Sequence, residues 1–283
     1  MELTLYPGCS AGSTGQELDL SLRAVFSELD VSLHELEDWN CCGASSAHAT
    51  NRALAAALPA RNLAIAQETG LDLLAPCAAC YSRLKAADYH LRHNPDRQRE
   101  IESHVGFRYT GQVQVRPPLD VVVTDIGLDA VKARVRRPLR GLKVVGYYGC
   151  LLVRPPQITG FDDPEHPVML DQLLLALGAE VKPWSYATDC CGGGLNLTRG
   201  STAARLVGRL TQFAREAGAD GIATACPLCQ LSLEMRQGGG SRMPVVYFTE
   251  LMGLAFGLDQ ASGWWKKHLI DPRPWLERVG DGS

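Results

Sequence analysis

The chain has almost no net charge for its size. Its 283 residues hold 28 Lys and Arg against 31 Asp and Glu, a formal −3, with a pI near 6.2. That balance removes the electrostatic case for a nucleic-acid binder. No apolar run approaches the ~18 residues that span a bilayer, so no transmembrane segment is expected. The opening Met1-Glu2-Leu3-Thr4-Leu5-Tyr6-Pro7 has neither the basic stretch nor the long apolar core of a secretion signal. A cytoplasmic protein in a reducing compartment is therefore expected. Nucleotide and flavin motifs are lacking too: Gly192-Gly193-Gly194 has neither phosphate-loop nor dinucleotide-binding spacing. Disorder is excluded by 46% hydrophobic and 21% charged residues. At roughly 150 residues per domain the length fits two modest domains, able to bury a core without disulfides.

Against these absences stand ten cysteines, Cys9, Cys41, Cys42, Cys77 and Cys80, then Cys150, Cys190, Cys191, Cys226 and Cys229. Each half holds one single Cys, one adjacent pair and one C-x-x-C. The gaps are 31 and 34 residues in the first set and 39 and 34 in the second. The flanking residues repeat as well. Tyr6-Pro7-Gly8-Cys9 matches Tyr147-Tyr148-Gly149-Cys150, Cys41-Cys42-Gly43 matches Cys190-Cys191-Gly192, and Ala75-Pro76-Cys77 matches Thr224-Ala225-Cys226. This is a tandem duplication with a period near 140 residues. The expected domains are 1–131 and 144–283, the second with a C-terminal tail, joined by a basic linker at 132–143.

Both halves read as α/β. Strands are expected at Leu3–Tyr6, His34–Leu36, Asp72–Ala75 and Val121–Thr124. Their counterparts are Lys143–Tyr148, Val181–Trp184, Ile222–Thr224 and Val245–Phe248. Leu18, Leu22, Val25, Phe26 and Leu29 have helical spacing, as do Leu170, Leu173, Leu174 and Leu177 before a stop at Gly178. A helix after the first Cys pair is expected to break or kink at Pro59. Strands alternating with helices favour mostly parallel sheets flanked by helices, with sites beyond the carboxyl ends of the strands. Residues 30 to 40 apart can converge there.

In a reducing compartment ten cysteines point to metal ligands or redox groups rather than disulfides. Thiolate selects zinc or iron–sulfur clusters. A structural zinc or a cubane cluster needs four ligands, whereas each half offers five. Adjacent cysteines suit different irons of one extended cluster better than one metal atom. Dithiol redox chemistry, inert buried cysteines and a zinc ion in one of the two sites are the alternatives. His48, six residues after Cys42, is either a site residue or a helix-start histidine. Gly43 and Gly192 to Gly194 suit close backbone approach to a cluster. The run with Lys132, Arg134, Arg136, Arg137, Arg140 and Lys143 is a solvated connection or a docking patch for an acidic partner. Trp264, Trp265 and Trp275 mark a packed tail or a partner interface.

The whole pattern resembles the B subunit of heterodisulfide reductase and its CCG-domain relatives. The likeness extends through Asp38-Trp39-Asn40-Cys41-Cys42-Gly43-Ala44, Leu58-Pro59-Ala60-Arg61-Asn62, Leu151-Leu152-Val153-Arg154-Pro155-Pro156 and Cys226-Pro227-Leu228-Cys229-Gln230. It implies that each five-cysteine set holds one noncubane 4Fe–4S cluster, the two facing each other across a substrate site. A disulfide would be cleaved or formed between them, each cluster handling one electron. It also implies a complex with two partners: a small iron–sulfur protein, equivalent to the C subunit of that family, and a larger electron-supplying subunit. Two other readings stand beside this one. One is a bacterial sulfur-oxidising complex acting on thiol- or lipoate-bound sulfur. The other is an electron-transfer or scaffold subunit without its own substrate. Arg83, Lys85, Arg154 and Arg199 follow the cysteine sites, where they would balance cluster charge or bind an anionic substrate.

Overall fold

The computed structural model describes residues 1–44, 47–238 and 242–279, and of His48 the backbone alone. The protein is α/β, with two four-stranded, wholly parallel sheets flanked by helices. The first contains β1 (Glu2–Leu5), β2 (Ser32–Glu35), β3 (Leu73–Leu74) and β4 (Val115–Arg116), in the order β2-β1-β3-β4. The second contains β5 (Lys143–Tyr147), β6 (Glu180–Val181), β7 (Gly221–Thr224) and β8 (Val245–Tyr247), in the matching order β6-β5-β7-β8. In both, the first strand sits centrally: Leu5 pairs with Glu35 on one side and Leu74 on the other, and Val144 with Val181 and Gly221. Strands covered on both faces must be apolar throughout, and Leu3, Leu5, Leu73, Leu74, Val144, Val145, Ile222, Val245 and Val246 are buried.

Two sequence expectations need correction. Val121–Thr124 is not a strand. The chain pairs earlier, at Val115–Arg116, and then Pro117-Pro118 opens a helical segment whose Val121–Gly127 portion is a π-helical turn. Proline at the first helical position is pre-organised for this, and it outweighs the strand preference of the valine run. Pro59 does not break its helix, which runs continuously over Arg52–Gln67. Asn40 Nδ2 donates to the Leu58 carbonyl there, at 3.0 Å.

The halves exchange helices. The Phe248–Ala255 helix, which follows β8, packs on the Gln16–Glu28 helix of the first half. Reciprocally, the Leu128–Arg134 helix that follows the first sheet packs on Met169–Ala176. Such reciprocity is what a pseudo-twofold relation requires. Leu22, Phe26, Leu251 and Met252 share one continuous core with Val131, Leu170 and Leu174. A buried Ser21–Thr249 hydroxyl pair at 2.6 Å and Tyr81 Oη donating to the Thr159 carbonyl at 2.6 Å add polar ties.

The basic linker is largely consumed by this junction. Arg134 pairs with Asp30 at 2.6 Å and donates to the Glu28 carbonyl. Arg136 pairs with Glu28 at 2.5 Å, and the Arg136 and Arg137 amides both donate to the Ala255 carbonyl. These arginines clip the C-terminal end of one helix to the other half. The tail is packed: Trp264 and Trp275 are buried, their rings filling space where Gly253 and Gly221 carry no Cβ.

Candidate metal centre

Each cysteine set gathers at the carboxyl end of its sheet. β1 ends at Leu5, and Gly8 turns the chain in the left-handed region, φ +66°, to present Cys9. β5 does the same through Gly149, φ +68°, for Cys150. Both glycines are needed twice over. An added Cβ would strain the backbone, and it would stand 3.2 Å from Cys80 Sγ at Gly8 or 2.9 Å from Cys229 Sγ at Gly149. Tyr6 and Tyr147 are buried beneath these turns. Their hydroxyls donate to the carbonyls of Asn40 and Asp189, at 2.8 and 2.6 Å, fixing the residue before each Cys pair.

The pairs lie in matching loops. The Gly43 amide donates to Cys41 Sγ at 3.4 Å, and the Gly192 amide to Cys190 Sγ at 3.3 Å. Gly43 and Gly192 have positive φ, and their missing Cβ makes room for the following helix, at Ala47 and Leu58 or at Ala203. Helix contact therefore sets these glycines. Gly193 alone of the run lies close to a thiol, its Cβ position 3.4 Å from Cys191 Sγ, whereas Gly194 faces open space.

The C-x-x-C segments start helices. Cys77 caps Ala78–His93 and Cys226 caps Pro227–Met235, with Cys80 and Cys229 in the first turns. A helix N-terminus favours thiolate. Cys42 and Cys80 sulfurs are 3.3 Å apart and Cys191 and Cys229 3.5 Å. Cys9 and Cys41, Cys150 and Cys190, and the two thiols of each C-x-x-C are near enough to shift one another's ionisation. Across the junction of the halves, the buried Cys77 and Cys226 thiols are near enough for each to shift the other's ionisation. The ten sulfurs thus form two groups that approach each other at Cys77 and Cys226.

Ionisation within the groups is mutually opposed. The hydrogen bond between Cys42 and Cys80 pulls Cys42 down to about 7, against burial, with the Arg83 charge helping. One with Cys150 pulls Cys190 down to about 6. Their partners Cys80 and Cys150 are pushed up by those same bonds and by burial. Closely packed thiols cannot all ionise without compensating positive charge, and a bound soft metal supplies it. No three Cys, His, Asp or Glu side chains among the described residues surround a single-ion site. Ten thiols grouped at the carboxyl ends of the two sheets are a donor set that fits iron–sulfur chemistry.

The other sequence candidates are more dispersed. Arg154 is engaged by its own half. It donates to the Thr188 carbonyl and hydroxyl, at 3.3 and 3.1 Å, and pairs with Glu165 at 2.9 Å, tying the turn after Cys150 to the loop before Cys190. Arg199 is exposed, at the start of the Gly200–Glu216 helix, and Lys85 is half-buried. The His48 side chain lies outside the described residues. Access differs from a facing-cluster cleft: Cys77 and Cys226 are both buried, and the crevice lined by Pro7, Gly15, Cys77 and Pro227 holds about 10 Å³. That is about one water. Cys9, Cys41 and Cys190 are the exposed thiols. The supporting Tyr6 and Tyr147 stand in the repeated flanks of Cys9 and Cys150, but nothing in that repeat marks their role.

With this geometry in place, comparison with known proteins is informative. The CCG cysteine-rich domain matches twice, over residues 3–85 and 144–234. The chain is 31% identical over 265 residues to the 8-methylmenaquinol:fumarate reductase membrane anchor subunit of Wolinella succinogenes, covering 91% of this chain and 93% of that protein. It is 30% identical over 270 residues to a heterodisulfide reductase B-subunit-like protein of Archaeoglobus profundus, covering 90% of each. It is 29% identical over 269 residues to the B subunit of the ferredoxin/F(420)H(2)-dependent CoB-CoM heterodisulfide reductase of Methanosarcina acetivorans, covering 90% and 89%. A crystal structure of a hypothetical protein from Helicobacter pylori shares the fold, with TM-score 0.71 at 11% identity, over 93% of this chain and 50% of that one. No helix among the described residues is long and apolar enough to cross a membrane.

Proposed function

The chain belongs to the CCG cysteine-rich domain family as a duplicated member, and from that premise we propose that it is the catalytic iron–sulfur subunit of a heterodisulfide reductase-type complex, cleaving or forming a disulfide. The observation that carries this reading is the approach of two equivalent five-thiol groups at Cys77 and Cys226. Two noncubane 4Fe–4S clusters, held by Cys9, Cys41, Cys42, Cys77 and Cys80 and by Cys150, Cys190, Cys191, Cys226 and Cys229, would supply the two electrons that disulfide cleavage consumes. The chain's own contribution is positional. Gly8 and Gly149 let the single cysteines approach, Tyr6 and Tyr147 hold the pair loops, and Arg154 braces the second. The exposed side of the groups, at Cys9, Cys41 and Cys190, is where a substrate sulfur gains access. Arg199, Lys85 and His48 are candidates for its charged tail. Electrons would be exchanged with a small iron–sulfur subunit and a larger electron-supplying one.

Anaerobically prepared protein is expected to contain about eight irons and, with an artificial one-electron donor, to cleave a defined disulfide. Iron analysis with anomalous scattering reads the first and free-thiol release the second. Zinc in both sites, or about four irons, defeats the two-cluster reading. A second reading, an electron-transfer subunit with no substrate of its own, is favoured by the crevice beside Cys77 and Pro227, whose volume of about 10 Å³ admits no substrate. Full iron content with reversible reduction but no thiol release selects it.

The turn glycines give a separate expectation. Gly149→Ala should lower the iron held by the second group while sparing the first. The left-handed backbone alone costs about 1–2 kcal/mol, and the Cβ crowds Cys229 besides. Gly8→Ala should mirror it more mildly, because its Cβ has 3.2 Å rather than 2.9 Å to the nearest sulfur. Equal iron loss from both groups in either variant would count against independent assembly.

A further inference from the structure

The first half has a basic pocket. It lies between the helices Arg52–Gln67, Ala78–His93 and Pro95–Val105. The second half shows no counterpart to the last of these, its C-x-x-C helix ending at Met235. The cavity holds about 180 Å³, and Arg52, Arg83, His90 and Arg97 face it from all three helices with alanines and Ile101 between them. No carboxylate is among its lining residues.

Two observations point to a ligand. The Nε atoms of Arg83 and Arg97 are buried and have no hydrogen-bond partner among the described residues. A guanidinium N–H withdrawn from water without an acceptor is costly, and two of them at one cavity, both cationic, compound that cost through like-charge repulsion. Burial and the charges of Arg97 and His93 also hold His90 below the usual histidine range, so the positive field is felt within the pocket. Each arginine is a planar fork suited to bidentate oxyanion binding. At about 180 Å³ the space takes a tetrahedral oxyanion with its waters.

We infer that this three-helix pocket is an oxyanion-binding site, in which Arg83 and Arg97 grip a phosphate-type group with Arg52 and His90 at its mouth. Arg83 connects the pocket to the cysteine chemistry: it stands on the C-x-x-C helix three residues after Cys80, and its charge acts on Cys42. The oxyanion is supplied either free in solution or as the charged tail of a thiol. The second source rests on the disulfide reading above; the site itself does not.

The test is calorimetric titration of anaerobic full-length protein with inorganic phosphate and with pyrophosphate. Saturable binding is expected, weakened at least tenfold by Arg97→Met and by Arg83→Met, with Arg140→Met on the exposed linker unchanged. Arg97 stands on an outer helix away from the cysteines, so its variant keeps the test valid if Arg83→Met disturbs the first thiol group. The cluster absorption of Arg97→Met should match that of the unsubstituted protein. Phosphopantetheine and pantetheine then separate the sources. Displacement of phosphate by the first but not the second makes the ligand a thiol tail; displacement by neither makes it the free anion. Absence of saturable binding, or unchanged affinity in Arg97→Met, overturns the site whatever the protein's disulfide activity.

Discussion

His268→Ala is expected to destabilise the protein by about 3–5 kcal/mol, the range for removing one member of a buried ion pair. The His268 side chain is fully buried between two fully buried carboxylates. Its Nδ1 lies 2.9 Å from Glu234 Oε1 and its Nε2 3.0 Å from Glu250 Oε1. The remaining carboxylate oxygens are also satisfied. Glu234 accepts from the Leu269 amide at 2.8 Å and Glu250 from the Tyr247 amide at 2.9 Å. This joins the tail, the second C-x-x-C helix and the end of β8 in one network, with Gln230 3.2 Å from the imidazole. Burial alone would lower the His268 pKa, but Glu250 and Glu234 outweigh it and raise it to about 10. A third acid, Glu17, is buried nearby and is raised chiefly by that burial, with His268 opposing. Removing the imidazolium would leave buried carboxylates facing one another. Because the folded pKa is raised, its stabilisation is complete below about 6.5 and disappears as pH climbs through about 10. Denaturant midpoints under anaerobic conditions should therefore fall between pH 7 and 10.5, and fall less in His268→Gln. A pH-independent midpoint, or a loss in His268→Ala below about 1 kcal/mol, would mean that the network carries no charge.

None of that network is legible in the sequence, and the reason is physical. His268 has no counterpart in the first repeat, and Glu234 and Glu250 each sit on short helices where a carboxylate ordinarily meets water. Only tertiary packing of the tail turns them inward. The cysteines behave oppositely. Their duplicated order announces the two groups, and strand ends follow from Gly-Cys turns whose geometry is local. Intermediate cases show where local information stops. The valines at 121–123 have strand propensity, but β3 already pairs with Val115–Arg116, and the proline pair starts a helix instead. Arg134 and Arg136 read as a solvated or docking charge run because their partners, Glu28 and Asp30, are about a hundred residues away. The oxyanion pocket is half visible: Arg83 stands out by its place after Cys80, whereas Arg52 and Arg97 join it only through the packing of three helices.

Cys191→Ser is expected to halve the iron content, from about eight to about four, by emptying the second group while leaving the first spectroscopically intact. Cys42→Ser should do the reverse. Serine offers a harder oxygen with a far higher pKa than thiol, so it substitutes poorly for a soft ligand. Each of these two positions touches only its own group: Cys42 contacts Cys80, and Cys191 contacts Cys229. The contrast is with Cys226. Its ionisation is set by both Cys229 and, across the junction, Cys77, so Cys226→Ser should perturb the spectrum of the first group as well as empty the second. Iron analysis and low-temperature electron paramagnetic resonance of anaerobic protein separate the cases. If Cys191→Ser strips both groups, the halves assemble their metals as one unit, and the separate five-thiol sites are wrong. If Cys226→Ser leaves the first group untouched, the Cys77–Cys226 approach does not couple the two groups. In that event the shared-substrate reading loses the observation on which it stands.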